Sequence, residues 1–248
     1  DVVIDNNLTL AAVGSQPAMI THVDQINLTN PARVTINGDA SPNQLAVNAA
    51  TPTSGNMRLG SGPVVNFNTI GALTYNGLGG SDTLTINNPS GTIFAPANGI
   101  LYNGGGQSGD NLVLNGGGSA AFNETYAVGP GSGDGTISFT GPVALALVFT
   151  GLAPILDNVT VNNFTVVATD AINVVRLDNG AALGDGLLHV AVDSFEPIDF
   201  KNKSHLILSG GLSAADLADE VVVNYSDTGT GLASLAINTG AGADVVTI

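Results

Sequence analysis

Apolar and polar residues alternate along this chain in short runs: Arg33-Val-Thr-Ile-Asn37, Thr83-Leu-Thr-Ile-Asn87, Asn111-Leu-Val-Leu-Asn115, Val159-Thr-Val-Asn162 and Glu220-Val-Val-Val-Asn224. Short runs of this period, with β-branched members on alternate positions, predict half-buried strands. Clusters of Gly, Asn, Asp and Pro separate the runs, and Gly and Asn reach positive φ at low cost, which is turn chemistry. Only Ser213–Glu220 has a helical look, with Ser213 as N-cap and Asp216 completing a capping-box-like pair over two turns at most. The expected fold class is all-β with at most one short helix.

The runs are organised into a repeating unit: an alternating strand ending in Asn or Ser, a Gly-rich turn, then a second strand led by Asp or Asn. Units begin at Val34, Leu73, Ile100, Leu206 and Leu235, and the long gap between 100 and 206 holds degenerate copies that include Thr136-Ile-Ser-Phe139 and Val159-Thr-Val-Asn162. A loose period in the upper twenties, with two or three short strands per period, matches one coil of a parallel β-helix, or β-solenoid, with irregular rungs. In that fold each strand stacks on its counterpart one rung later, about 4.8 Å away. Small Val, Ile, Leu and Ala side chains fill a narrow core, Thr and Asn face solvent, Asn at strand ends forms ladders between rungs, and Gly takes the corners. The alternative is a set of β-sandwich modules, which also show turn signals at short intervals. The expected organisation is one solenoid domain over residues 1–248. Asp1-Val-Val-Ile4 and Asp244-Val-Val-Thr-Ile248 both read as the strand that follows a Gly-rich turn, which suggests a segment of a longer array or a subunit that stacks on its own copies.

Composition narrows the function. The chain carries 20 acidic against 5 basic side chains, a net charge of −15, and contains no cysteine. Arg33, Arg58, Arg176, Lys201 and Lys203 are too few to displace counterions from a nucleic acid or to hold an anionic membrane surface. No stretch is long and apolar enough for membrane insertion; Pro142–Leu156 is interrupted by Thr150 and Gly151. Without cysteine there is no disulfide, thiolate metal site or thiol nucleophile.

Enzyme constellations are thin. His22, His189 and His205 lie on different segments without metal-ligand spacing, and no G-x-S-x-G elbow occurs. Acidic residues around Asp193, Glu196 and Asp199 are the best place for paired carboxylates, although a solvated acidic loop is the simpler reading. Several Asn-x-Thr/Ser triplets, among them those at Asn27, Asn123, Asn158 and Asn163, follow from the abundance of these residue types. No catalytic or cofactor-binding residue is assigned.

Gly77-Leu-Gly-Gly-Ser-Asp82-Thr-Leu84, Gly109-Asp110-Asn-Leu112 and Gly240-Ala-Gly-Ala-Asp244-Val-Val246 are similar in outline to the nonapeptide of calcium-binding RTX repeats. That resemblance implies Ca²⁺ as the one candidate cofactor, with Asp82, Asp110 and Asp244 as candidate ligands, although the copies are isolated rather than in tandem. The wider pattern over Leu73–Asn88 and Leu235–Ile248 resembles the repeats of very large secreted and cell-surface bacterial proteins, including adhesins and the giant proteins of planctomycetes. It implies an extracellular or cell-surface, non-catalytic structural or adhesive module, of the kind that forms filaments. Its partners would be neighbouring repeats or copies of itself end to end, and a cell-surface or matrix glycan. The alternatives are a carbohydrate-active β-helix enzyme, either polysaccharide lyase or hydrolase, and a calcium-dependent β-roll-like module.

Overall fold

The computed structural model describes residues 2–5, 9–12, 18–19, 23–227 and 231–248. The described residues are all-β and contain no helix. The alternation read from the sequence is the alternation of burial. In Thr83–Asn87, Leu84 and Ile86 point into the core while Thr83, Thr85 and Asn87 face outward, and Val34–Asn37 and Asn111–Asn115 repeat the pattern. Successive side chains of a strand leave on opposite faces, so every second residue is committed to the interior.

Among the described residues the strands form two mixed sheets of twelve strands each. In the first, Val34–Asn37, Leu73–Asn76, Ile100–Asn103 and Leu145–Thr150 lie side by side in parallel. In the second, Gln44–Ala49, Thr83–Asn87, Asn111–Asn115, Ile155–Asp157 and Ile198–Phe200 do the same. The register sets like on like: Leu73 beside Val34, Tyr75 beside Ile36, Tyr102 beside Tyr75. The Tyr75 and Tyr102 rings consequently stack, with centroids 5.1 Å apart and planes 17° from parallel. Inward residues of both sheets meet in one hydrophobic core, which includes Val34 and Ile36 from the first and Leu45 and Val47 from the second. Neither sheet closes into a barrel: Ser234–Asn238 and Ala18–Met19 form the edges of one, Val245–Thr247 and Gln25–Thr29 those of the other.

Parallel pairing is interrupted by antiparallel meanders of three strands. One runs through Gln44–Ala49, Gly55–Leu59 and Val64–Asn68, a second through Gly118–Val128, Gly135–Thr140 and Leu145–Thr150, and a third through Val174–Asn179, Leu188–Val192 and Ile198–Phe200. Three strands reverse the chain twice, so the last runs in the same direction as the first. Both outer strands of the second meander therefore pair in parallel onward, Leu145–Thr150 with Ile100–Asn103 and Gly118–Val128 with Thr160–Val167. This corrects the reading of Thr136-Ile-Ser-Phe139 as a degenerate repeat: it is the middle, antiparallel strand of that meander. Alternation has the same period in either direction, so it carries no information about strand polarity.

The helix expected over Ser213–Glu220 does not form. The segment is a turn after Lys203–Ser209 that leads into Glu220–Asn224. Ser213 Oγ accepts the Ala215 N–H, but Asp216 Oδ2 accepts from Gly211 N, and the N–H groups of Leu212 and Ser213 donate to Asp170 Oδ1 across the turn. Two turns of helix cannot offset the cost of nucleation, and the carboxylates of Asp170 and Asp216 instead hold the backbone donors of Gly211–Ser213 in a turn.

Inward and outward positions of one strand should respond very differently to truncation. Leu84→Ala empties a fully buried site and is expected to cost about 2–5 kcal/mol. Thr85→Ala, one residue on and half-exposed, should cost under about 1 kcal/mol. Urea unfolding of the two variants measures the difference.

Candidate functional site

The corner between the two strands of each unit is where the glycines and aspartates of the repeat come together. Asp82 is fully buried: its Oδ1 accepts the backbone N–H of Asn43 at 2.7 Å, and its own N–H donates to Asp110 Oδ1 at 2.8 Å. Asn43, Asp82 and Asp110 therefore form a staircase in which each carboxylate or carboxamide oxygen takes a backbone donor, Asn43 Oδ1 from Asp39 within its own corner and the aspartates from the preceding unit. A second staircase joins Asn173, Asp219 and Asp244, with bonds of 2.8 and 2.9 Å. The structure thus brings Asp82 and Asp110 together and places Asp244 in the other stack, beside Asp219.

The glycine that ends each preceding strand is required by this arrangement. A Cβ on Gly77 would collide with Asp82 Oδ2, one on Gly210 with Asp219 Oδ2, and one on Gly104 would lie 2.7 Å from Asp110 Oδ2. The Asn-Gly-to-Asp signature is a packing unit: glycine leaves room for a buried carboxylate, and the carboxylate caps a backbone N–H that would otherwise lack a partner.

Asparagines form a second set of contacts between units. Asn76 Nδ2 donates to Asn37 Oδ1 at 2.8 Å. On the other sheet a ladder climbs through Asn48, Asn87, Asn115 and Asn158, each Nδ2 donating to the Oδ1 of the preceding member at 2.8–3.2 Å. Asn66–Asn27 and Asn163–Asn123 are further rungs. The side chains of Asn27, Asn123, Asn158 and Asn163, which head Asn-x-Thr/Ser triplets, are thus members of ladders.

Calcium requires about six to eight oxygen ligands converging on one point. At Asp82, Asp110 and Asp244 one carboxylate oxygen already faces a backbone N–H, a donor that opposes a cation, and Asp82 and Asp110 Oδ2 are buried without a hydrogen-bond partner. Among the described residues no group of three or more His, Asp or Glu is placed to hold a metal ion. The residues present do not supply a calcium cage at these corners.

The acidic stretch from Asp193 to Asp199 is divided among separate tasks. Asp193, at positive φ, accepts the Val174 N–H and the Asn173 amide. Asp199 pairs with His189 across the strands at 2.7 Å, which lifts the His189 pKa above its usual value. Glu196 is buried and burial pushes its pKa up to about 7. His205 Nδ1 meets Ser234 Oγ, and His22 lies outside the described residues. Four surface depressions, including one bounded by Asp199 and one by Asp227, each present at most one carboxylate.

One polar cluster was not singled out from the sequence. Lys203 is buried, with Nζ 2.5 Å from Glu124 Oε2, 2.9 Å from Asp157 Oδ2 and 2.9 Å from the Val159 carbonyl oxygen. Its ammonium lies 5.1 Å from the centre of the Phe164 ring. Two carboxylates against one ammonium leave excess negative charge in a medium that solvates it poorly. Burial and the neighbouring Asp157 hold the Glu124 pKa well above the ordinary glutamate value. Burial works against the charge on Lys203, but Asp157 and Glu124 outweigh it and its pKa is raised. A signal for the acids was present: Phe122, Glu124 and Tyr126 share one parity of an alternating run, as do Ile155, Asp157 and Val159, so both carboxylates fall on core-facing positions.

Compared with protein families, curated proteins and solved structures, the chain matches none.

Two outcomes follow for stability in solution. Asp82, Asp110 and Asp219 have pKa values raised chiefly by burial, and Glu196 titrates near about 7 against an ordinary 4.5. A carboxyl group with a raised folded pKa holds a proton that the unfolded chain has lost, so its contribution is full at low pH and fades as pH rises through the folded value. His189, also raised, contributes fully below its unfolded 6.5 and loses that contribution as pH rises further. Asp170, whose pKa is lowered by the Ser213 and Leu212 N–H groups, acts in the opposite direction, but below 3.8. The melting midpoint should therefore fall as pH rises from about 4.5 through 7, and Glu196→Gln should flatten that portion; thermal melts across pH read both. Melts with millimolar Ca²⁺ and with chelator should give equal midpoints, since a bound cation would raise the folded state by mass action.

Proposed function

We propose that this chain is a non-catalytic structural or adhesive module, a parallel β-solenoid whose meanders are irregular rungs, belonging to a secreted or cell-surface bacterial protein. The observation that carries the reading is the in-register parallel pairing of successive units, in which the signature Gly, Asn and Asp residues are occupied in joining one unit to the next. Residues tied up in such ladders contribute stiffness, and unit-on-unit stacking makes stability a sum of nearest-neighbour interfaces, as suits a spacer or rod. The bacterial surface setting rests on the resemblance of the Gly-Asn-Asp units to repeats of giant secreted proteins.

Electron microscopy of the purified chain across a concentration series tests this, with rods or end-to-end filaments expected. Isolated compact particles that cleave a polysaccharide would overturn the proposal.

A further inference from the structure

The Lys203 cluster has a geometry that a structural ion pair does not need. The amine of Lys203, first residue of Lys203–Ser209, meets the carboxyl group of Asp157, last residue of Ile155–Asp157, at 2.9 Å. Both side chains are inaccessible to solvent. Asp157 Oδ1 is held at 2.8 Å by the Val159 backbone N–H, a fixed donor aimed at the oxygen on which negative charge develops if the carboxyl carbon is attacked. Glu124, also inaccessible, contacts the same amine through Oε2, while its Oε1 is buried without a hydrogen-bond partner. The Phe164 ring lies beside the amine, the Val159 carbonyl accepts from it, and none of the three polar side chains is accessible to solvent. An amine, a carboxyl group, a donor for the oxyanion and a carboxylic acid to move protons are thus held together in a dry pocket. Holding two reactants in this way replaces an encounter in water by an intramolecular step with a very high effective concentration.

We propose that Lys203 and Asp157 condense spontaneously into an intramolecular amide cross-link, with Glu124 as the proton shuttle. Glu124 in its acid form gives a proton to Asp157 Oδ2 and takes one from the Lys203 ammonium, leaving a neutral carboxylic acid facing a neutral amine. The Nζ lone pair attacks Asp157 Cγ, forming the C–N bond, and the carbonyl electron pair moves onto Oδ1, where the Val159 N–H stabilises it. Glu124 then passes its proton to the departing hydroxyl and recovers one from the nitrogen. The Cγ–Oδ2 bond breaks, the Oδ1 carbonyl reforms, and one water leaves. One ammonium and one carboxylate become one amide and one water; Glu124 ends as it began, and no oxidant, reductant or activated donor takes part.

The reaction also removes the electrostatic burden of the site. Before it, an ammonium and two carboxyl groups share a pocket with no solvent. After it, one neutral amide and a protonated Glu124 remain. The new bond ties the second sheet to the first across a separation of 46 residues along the chain. It stands independently of the solenoid and filament readings, because it depends on the interior of one molecule.

The test is the intact mass of the folded, purified chain, measured after denaturation, with peptide mapping. The expected mass is one water below that of the sequence, with a branched peptide joining the segments that carry Asp157 and Lys203. Lys203→Met, which keeps the buried stem and removes the amine, should show the full sequence mass. Glu124→Gln, with folding checked by circular dichroism, should cross-link at least 100-fold more slowly than wild type. The full sequence mass in folded wild-type protein after prolonged incubation overturns the proposal, whether or not the variants fold. So does a water-loss mass whose Asp157 and Lys203 map to separate linear peptides. Cross-linking of folded Glu124→Gln at the wild-type rate overturns the role given to Glu124.

Discussion

Pairing of equivalent strands in parallel and in register is the constraint from which the rest follows. A parallel strand must be reached by a connection that returns the chain to the same side, and at each return backbone N–H groups leave the ladder near the core. The aspartate and asparagine staircases satisfy those donors from the neighbouring unit. The glycines at Gly77, Gly104 and Gly210 exist to admit those side chains, because any Cβ there meets carboxylate or backbone oxygen. Turn composition, core composition and repeat length are three consequences of one geometric demand.

That solution has an electrostatic cost. Carboxylates that cap backbone donors are partly desolvated, and in a chain of net charge −15 few cations are near enough to offset them. Their raised pKa values express the tension, and Asn43, in the position that Asp82 and Asp110 occupy in later units, shows a neutral alternative. The asparagine ladders, part-buried for most of their length, avoid the problem, since a carboxamide is donor and acceptor at once and can repeat along a stack.

The Lys203 cluster differs from the other buried polar groups, the corner aspartates and Glu196 among them, in setting an amine against two carboxyl groups. It lies where Gly118–Val128 pairs with Thr160–Val167 through a shifted register at Ser119 and Asn123, beside a corner where the chain passes from one sheet to the other. A packed apolar corner would serve stability at least as well as a buried ion group. Its chemistry is better accounted for by the reactivity of its members than by their charges.

Alternation of small apolar and polar residues determined the all-β class, because a period of two commits every second side chain to an interior whatever the strand's direction. The recurrence of Asn, Gly and Asp at unit ends likewise determined which corners and ladders equivalent segments would share. Leu84, Ile86, Tyr75 and the Asn87–Asn115 rung were legible in this way. Strand polarity was not: Thr136–Phe139 alternates like its neighbours, and only the length of chain available for each return decides whether a strand comes back parallel or folds into a meander. The turn at Ser213–Glu220 is tied to Asp170, more than forty residues earlier, whose carboxylate accepts the N–H groups of Leu212 and Ser213 at its start. The meeting of Glu124, Asp157 and Lys203, 79 and 46 residues apart, is tertiary in the same sense. Parity placed the two acids indoors, but only the stacking of particular strands could bring an amine to them.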